Sequence, residues 1–138
     1  MYIKLSKLFV IVIILFVVNN DGHSQIYQAY EDYKIRKVMF DKVSSIGDER
    51  MLIAETHAIT GAYPIDDSFS KKFLKKKEFG YNPKNGQISI FISEKDPKGM
   101  SSLIGKKITY TPSLSGNGYL NWTCESTLKK DQTPYPCY

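Results

Sequence analysis

The sequence has few of the residues that hold metals and cofactors. Two histidines and two cysteines occur among 138 residues. That is too few for a zinc ribbon, a cysteine–histidine finger or a haem-attachment motif. The best catalytic pair is His57 with Glu55, and side chains two residues apart on a helix point to different faces. We therefore expect no enzyme activity, with no catalytic residue, no metal site and no cofactor.

Proline and glycine are not abundant either, and no charge dominates. Six prolines and nine glycines exclude a collagen-like chain or a linker. Lysine and arginine number 19 against 14 acidic residues, for a net charge of +5, and this mild excess does not by itself indicate nucleic-acid binding. With 42% hydrophobic and 24% charged residues, the chain is typical of one folded domain.

Only one long hydrophobic run occurs, and it lies at the start of the chain. Residues 8–18 are eleven consecutive apolar residues; Lys4 and Lys7 precede them, and the polar segment NNDGHSQ follows. This order is typical of a secretory signal, here with cleavage between Ser24 and Gln25. As a helix the run is about 16 Å long, shorter than the roughly 30 Å hydrocarbon core of a bilayer.

The alternative for this segment is an uncleaved, short membrane anchor that also uses Ile3 and Leu5, with the lysines reaching the lipid surface. Either way, residues 1–24 are predicted to be a signal peptide or anchor, and residues 25–138 the folded domain. We expect the protein to be exported.

A long amphipathic helix is predicted from Gln25 to about Thr60. The segment has no proline and one glycine, Gly47, and Gly61 followed by Pro64 is a helix stop. The alternative is two helices with a break between Ser44 and Asp48. The predicted apolar stripe consists of Ile26, Tyr30, Tyr33, Lys37, Val38, Val43, Ile46, Met51, Leu52, Ala54, Ala58 and Ile59.

After residue 86 the pattern changes to the period of a β-strand. QISIFIS alternates around Ile88, Ile90 and Ile92, and KKITYTPS and YLNWTCES follow further turn residues. Three strands with short connections predict an antiparallel meander. The long helix is the only large apolar partner for one face of this sheet, so the predicted fold is a helix laid on an antiparallel sheet.

Five lysines cluster between these two regions, interleaved with phenylalanine and leucine. The simpler interpretation is a solvated helix face. The alternative is a basic patch that binds DNA, lipid head groups or an anionic glycan weakly. The residues of this basic patch are Lys71, Lys72, Lys75, Lys76 and Lys77.

The two cysteines lie close together near the C-terminus. In an exported domain, Cys124 and Cys137 are expected to form a disulfide; two free thiols are the alternative. Pro134 and Pro136 restrict the enclosed loop, and a preorganised loop binds at a lower ordering cost. The loop is therefore either a recognition surface or a simple staple of the C-terminus.

The domain resembles the type IV major pilins. The segment QIYQAYEDYKIRKVMFDKVSSIGDERMLIAETHAITGAYP is similar to their long-helix region. LIGKKITYTPSLSGNGYLNWTCES resembles their last two strands, and PYPC, which ends at Cys137, resembles the close of their disulfide-bounded loop. The resemblance covers residues 25–138.

The resemblance implies an α+β fold: a long N-terminal helix packed on a three- to four-stranded antiparallel sheet, with a C-terminal disulfide-bounded loop. It further implies a pilus subunit that mediates surface attachment, at the cell surface or in the periplasm of a bacterium. Partners would be other pilin subunits or a host receptor, and the N-terminal segment would engage the inner membrane. The adhesion loop would present Lys129, Lys130, Asp131, Thr133, Pro134, Tyr135 and Pro136.

The N-terminus departs from that family. No glycine precedes the apolar run, and Ile11 stands where the family has the glutamate that pairs with a neighbouring subunit. The segment NNDGHSQ interrupts the apolar helix with charge and glycine. The alternative is therefore a soluble exported binding module of the same fold that does not polymerise.

Overall fold

In a computed structural model of the chain, described residues are 3–65, 78–96 and 100–137, with side chains described from residue 22 onward. The elements are two helices, α1 (Ile3–Ser44) and α2 (Gly47–Thr60), and four strands, β1 (Phe79–Asn82), β2 (Gln87–Phe91), β3 (Lys107–Leu114) and β4 (Leu120–Ser126). Short 3-10 helices cover Ser101–Leu103 and Lys130–Gln132. The α+β class is confirmed.

The helical region is bent at a two-residue turn, Ser45–Ile46. The Ser45 amide still donates to the Asp41 carbonyl at 3.1 Å, and the Arg50 amide donates to the Ile46 carbonyl at 3.0 Å. The bend therefore falls inside the predicted Ser44–Asp48 segment. α1 starts at Ile3, earlier than the Gln25 start that the sequence predicts. α2 ends as predicted, with Gly61 left-handed at a φ of 70°.

The sheet is the predicted antiparallel meander, with the strand order β1-β2-β3-β4. Its inner face carries the alternating apolar residues: Ile88 lies opposite Tyr110, and Ile90 opposite Ile108. β1 is a strand that the sequence pattern did not predict, because Phe79-Gly80-Tyr81-Asn82 shows no clear alternation. The four strands agree with the upper end of the predicted range.

The chain divides into two compact units, Met1–Lys34 and Ile35–Tyr138. Within the second unit, helix and sheet residues share one hydrophobic core. The helices contribute Ile35, Met39, Ile46 and Ile53; the main contributions from the strands are Phe79, Ile88, Ile90, Ile108 and Tyr110.

The predicted helix stripe is only partly right. Ile46 is buried and Val38 and Val43 are half-buried, but Ile26, Tyr30 and Tyr33 are exposed, as are Met51, Leu52, Ala58 and Ile59. Lys37, also placed on the stripe, forms an exposed ion pair with Asp41. The true buried positions, Ile35, Met39, Lys42, Ile46 and Ile53, are separated by steps of three, four and seven residues. Such steps keep them on one helix face.

Candidate functional site

The disulfide between Cys124 and Cys137 is confirmed. Its Cα atoms are 4.9 Å apart. Cys124 lies on β4 opposite Tyr110 of β3, and the Tyr110 hydroxyl donates a hydrogen bond to Cys137 Sγ at 3.3 Å. Burial raises the pKa of Tyr110, and the nearby Arg50 acts in the opposite direction. The disulfide therefore contacts the hydrophobic core through Tyr110, in addition to fixing the C-terminal end of the chain.

The loop between the cysteines is held in shape by hydrogen bonds among its own residues. The Thr133 hydroxyl donates to the Lys129 carbonyl at 2.8 Å and lies 3.0 Å from the Ser126 hydroxyl. Gln132, Thr133 and Pro134 are buried. Thr133 and Pro134 therefore offer no surface to a partner, although the resemblance includes them among the contact residues; their packing instead holds the loop in shape.

The exposed part of the predicted adhesion loop is smaller and carries both charge and an aromatic ring. Lys129, Lys130, Asp131 and Pro136 are exposed, and 76% of Tyr135 is accessible. We call this set of five residues the loop tip. A tyrosine beside two cations and one carboxylate can stack, accept and donate hydrogen bonds, and pair with charge on a partner.

A second exposed surface lies on α1, within the first compact unit. Four large side chains, Ile26, Tyr27, Tyr30 and Tyr33, are more than half exposed. We call these four residues the tyrosine face. Steps of three and four residues bring Ile26, Tyr30 and Tyr33 onto one side of the helix. The Lys34 ammonium lies 5.0 Å from the centroid of the Tyr30 ring, and its hydrogen bond to Glu31 raises the pKa of Lys34.

A third cluster, which the sequence did not predict, surrounds Lys42 in the second unit. Lys42 Nζ lies 2.8 Å from Asp96 Oδ2 and 3.1 Å from Glu78 Oε2. It also donates to the Phe91 carbonyl at 3.1 Å. The lysine and Asp96 side chains are 10% and 6% exposed. No local sequence pattern connects Lys42 with Asp96, which lies 54 residues further along the chain; only the fold brings the two together.

The other sequence-predicted groups take no part in these clusters. The basic patch of Lys71, Lys72, Lys75, Lys76 and Lys77 lies outside the described residues. His57 packs against Tyr63, with ring centroids 4.9 Å apart. Within residues 3–65, 78–96 and 100–137, no three metal-ligating side chains come together.

No protein-family model, curated protein or solved structure matches this chain. In the described part of the chain, no helix has an apolar stretch long enough to cross a bilayer.

Proposed function

We propose that this protein is a pilin-like exported structural and adhesion protein, a subunit or relative of a type IV pilus that mediates surface attachment. The tyrosine face carries this proposal. Exposure of large apolar and aromatic side chains to water is unfavourable, and burying a cluster of them lowers the free energy. Other copies of the same chain, packed helix against helix, would cover them.

The loop tip is the proposed contact with a receptor. The disulfide and the buried Thr133 fix its backbone before binding, which lowers the ordering cost of recognition. Its mixed charges and the accessible ring of Tyr135 fit a polar partner such as a surface glycan or protein.

Assembly can be tested by analytical ultracentrifugation of the full chain over a range of concentrations. We expect the wild-type protein to form large species and the double substitution Tyr30→Ser and Tyr33→Ser to remain small. Tyr119→Ser is the control, because Tyr119 is even more exposed than Tyr30 and Tyr33 but belongs to the other unit. A wild-type protein that stays monomeric at every concentration contradicts the assembly proposal.

Attachment can be tested separately with cells or beads that display the protein. Substituting Lys129, Lys130 and Tyr135 with alanine is expected to abolish attachment, since each side chain is at the loop tip. Replacing Lys106 and Lys107 with alanine removes the same charge from another part of the surface and is expected to leave attachment unchanged. Equal attachment of the loop variant and wild type rules out the loop tip as the contact.

The second candidate is a soluble exported binding module that does not polymerise. Ile11 in place of the family's glutamate and the polar segment NNDGHSQ favour it. Intact mass of the exported protein distinguishes the two: a chain that starts at Gln25 lacks the helix needed for ordinary filament packing. If such a module binds anionic ligands through the basic patch, 1 M salt should abolish binding, since that concentration shortens the Debye length to about 3 Å.

A further inference from the structure

The cluster around Lys42 contains more negative charge than an ion pair needs. One buried ammonium faces two carboxylates, Asp96 at 2.8 Å and Glu78 at 3.1 Å. Removing a charge from water costs several kcal/mol per ion even when it is paired. Asp96, Glu78 and the Phe91 carbonyl together accept the three N–H groups of Lys42, and the two carboxylates leave the cluster with one negative charge in excess.

Lys42 and Asp96 are held in direct contact. Lys42 Nζ lies 2.8 Å from Asp96 Oδ2, the oxygen bonded to Asp96 Cγ, so the nitrogen needs only a small shift to approach the carboxyl carbon; a near-attack arrangement has the reacting atoms about 3–3.5 Å apart. Both side chains are almost entirely excluded from water. Fixed proximity in a dry site favours bond formation over a freely solvated pair.

We propose that Lys42 and Asp96 form an intramolecular amide bond, with Glu78 as the proton relay. Once the ammonium has given a proton to Glu78, Lys42 Nζ attacks Asp96 Cγ, the N–C bond forms, and the bond from Cγ to Oδ1 breaks. Starting from the ammonium and the carboxylate, the nitrogen loses two protons and the departing oxygen gains both, so that one water is released. Glu78 Oε2, in contact with Nζ, takes the two protons from the nitrogen in turn, one before the attack and one after it, and passes both to the departing oxygen.

The remaining contacts fit the product. The Ser93 amide donates to Asp96 Oδ2 at 2.7 Å, where negative charge develops as the nitrogen adds. An ammonium has three N–H groups and an amide nitrogen has one. The Phe91 carbonyl, 3.1 Å from Nζ, accepts that remaining N–H once the other two protons are lost.

The bond would join α1 to the segment that follows β2, across 54 residues of chain. Unlike the disulfide, it would resist reducing agents. A subunit under mechanical load would then keep its first helix attached to its sheet in any redox environment.

Mass spectrometry of the reduced full chain tests the bond. We expect the wild-type protein to weigh one water less than its sequence, and a tryptic digest to contain a branched peptide that joins Lys42 to Asp96, uncut at Lys42. Asp96→Asn is the sharpest variant, since loss of ammonia from the amide yields the same product. Wild type and Asp96→Asn should therefore converge on one mass.

Lys42→Arg and Glu78→Gln are expected to keep their full sequence masses, because the first removes the nucleophile and the second the proton relay. Circular dichroism and the intact disulfide report whether each variant has folded. The proposal is overturned if folded wild-type protein yields separate, unmodified Lys42 and Asp96 peptides. It is also overturned if wild type and Asp96→Asn retain the mass difference of their side chains.

Discussion

Gly86, in the turn between β1 and β2, has both an unusual backbone and a crowded surrounding. Its φ is +69°, and an added Cβ would lie 2.5 Å from the Tyr63 ring and 2.9 Å from Pro112. Gly86→Ala is expected to destabilise the protein by about 2–4 kcal/mol. About 1 kcal/mol comes from the left-handed backbone and the rest from overpacking. Urea unfolding measures the change.

Gly105→Ala is the matched control for this substitution. Gly105 has a φ of +83° but open space around it, so alanine there should cost only about 1 kcal/mol for the backbone. Equal losses at the two positions would show that the Tyr63 contact adds nothing.

Tyr81 is expected to make stability fall at high pH. Burial, with a smaller contribution from Tyr63, raises the pKa of Tyr81 from 10.0 to about 12; its hydroxyl donates to the Pro64 carbonyl at 3.0 Å. Because the folded state holds its proton more tightly than the unfolded state, this contribution is complete below pH 10 and is lost between pH 10 and about 12. The loss should be on the order of 1–2 kcal/mol, reduced by partial solvent contact.

Urea unfolding at pH values on either side of 10 measures this effect. Tyr81→Phe should flatten the decline, whereas Tyr119→Phe, at an exposed tyrosine, should leave it unchanged. An identical decline in the Tyr81 variant would assign the pH dependence to other groups.

Among the elements, α2 offers a direct comparison of its two faces. Ile53 is fully buried in the core and Ile59 is 84% exposed. Ile53→Ala is expected to cost about 2–5 kcal/mol because it leaves a cavity, and Ile59→Ala less than about 0.5 kcal/mol. Thermal or urea unfolding measures both. A larger loss at Ile59 would mean that the sequence-predicted stripe, not the observed one, faces the core.

The strands could be predicted from sequence better than the helix faces. Alternation at Ile88, Ile90 and Ile92 has a period of two that is typical of a half-buried strand. On α1, Ile26, Tyr30 and Tyr33 suggest an apolar face that the core does not use. Lys42, a charged residue at a buried position, hides the true stripe, since sequence reasoning assigns an isolated lysine to solvent.

The candidate sites also differ in how much of each the sequence predicts. The disulfide and the loop position follow from two nearby cysteines and the prolines between them. Which loop residues point inward does not follow, because Thr133 is buried through its hydrogen bond to Lys129. The Lys42 cluster depends on Glu78 and Asp96, which lie far away in sequence, and no local pattern connects them.

At the scale of the whole molecule, the described core belongs to one of the two compact units. Every buried hydrophobic residue of the described part lies at Ile35 or later, within the unit Ile35–Tyr138. The side chains described before that point, from Gly22 to Lys34, are exposed or half-buried. Stability and the proposed assembly therefore depend on different units: the second unit supplies the core, and the tyrosine face of the first supplies the proposed contact between subunits.

A fragment of residues 35–138 is accordingly expected to fold with nearly the stability of the full chain and not to assemble. A matched fragment of residues 45–138 should fail to fold. It lacks Ile35 and Met39, which are 6% and 0% exposed, and loss of each such side chain costs about 2–5 kcal/mol from a total of about 5–15 kcal/mol.

Amide dispersion in NMR spectra distinguishes folded from unfolded fragments, and ultracentrifugation reports assembly. If the fragment of residues 35–138 unfolds, the first unit contributes to the core; if it assembles like the full chain, the tyrosine face is not the contact between copies.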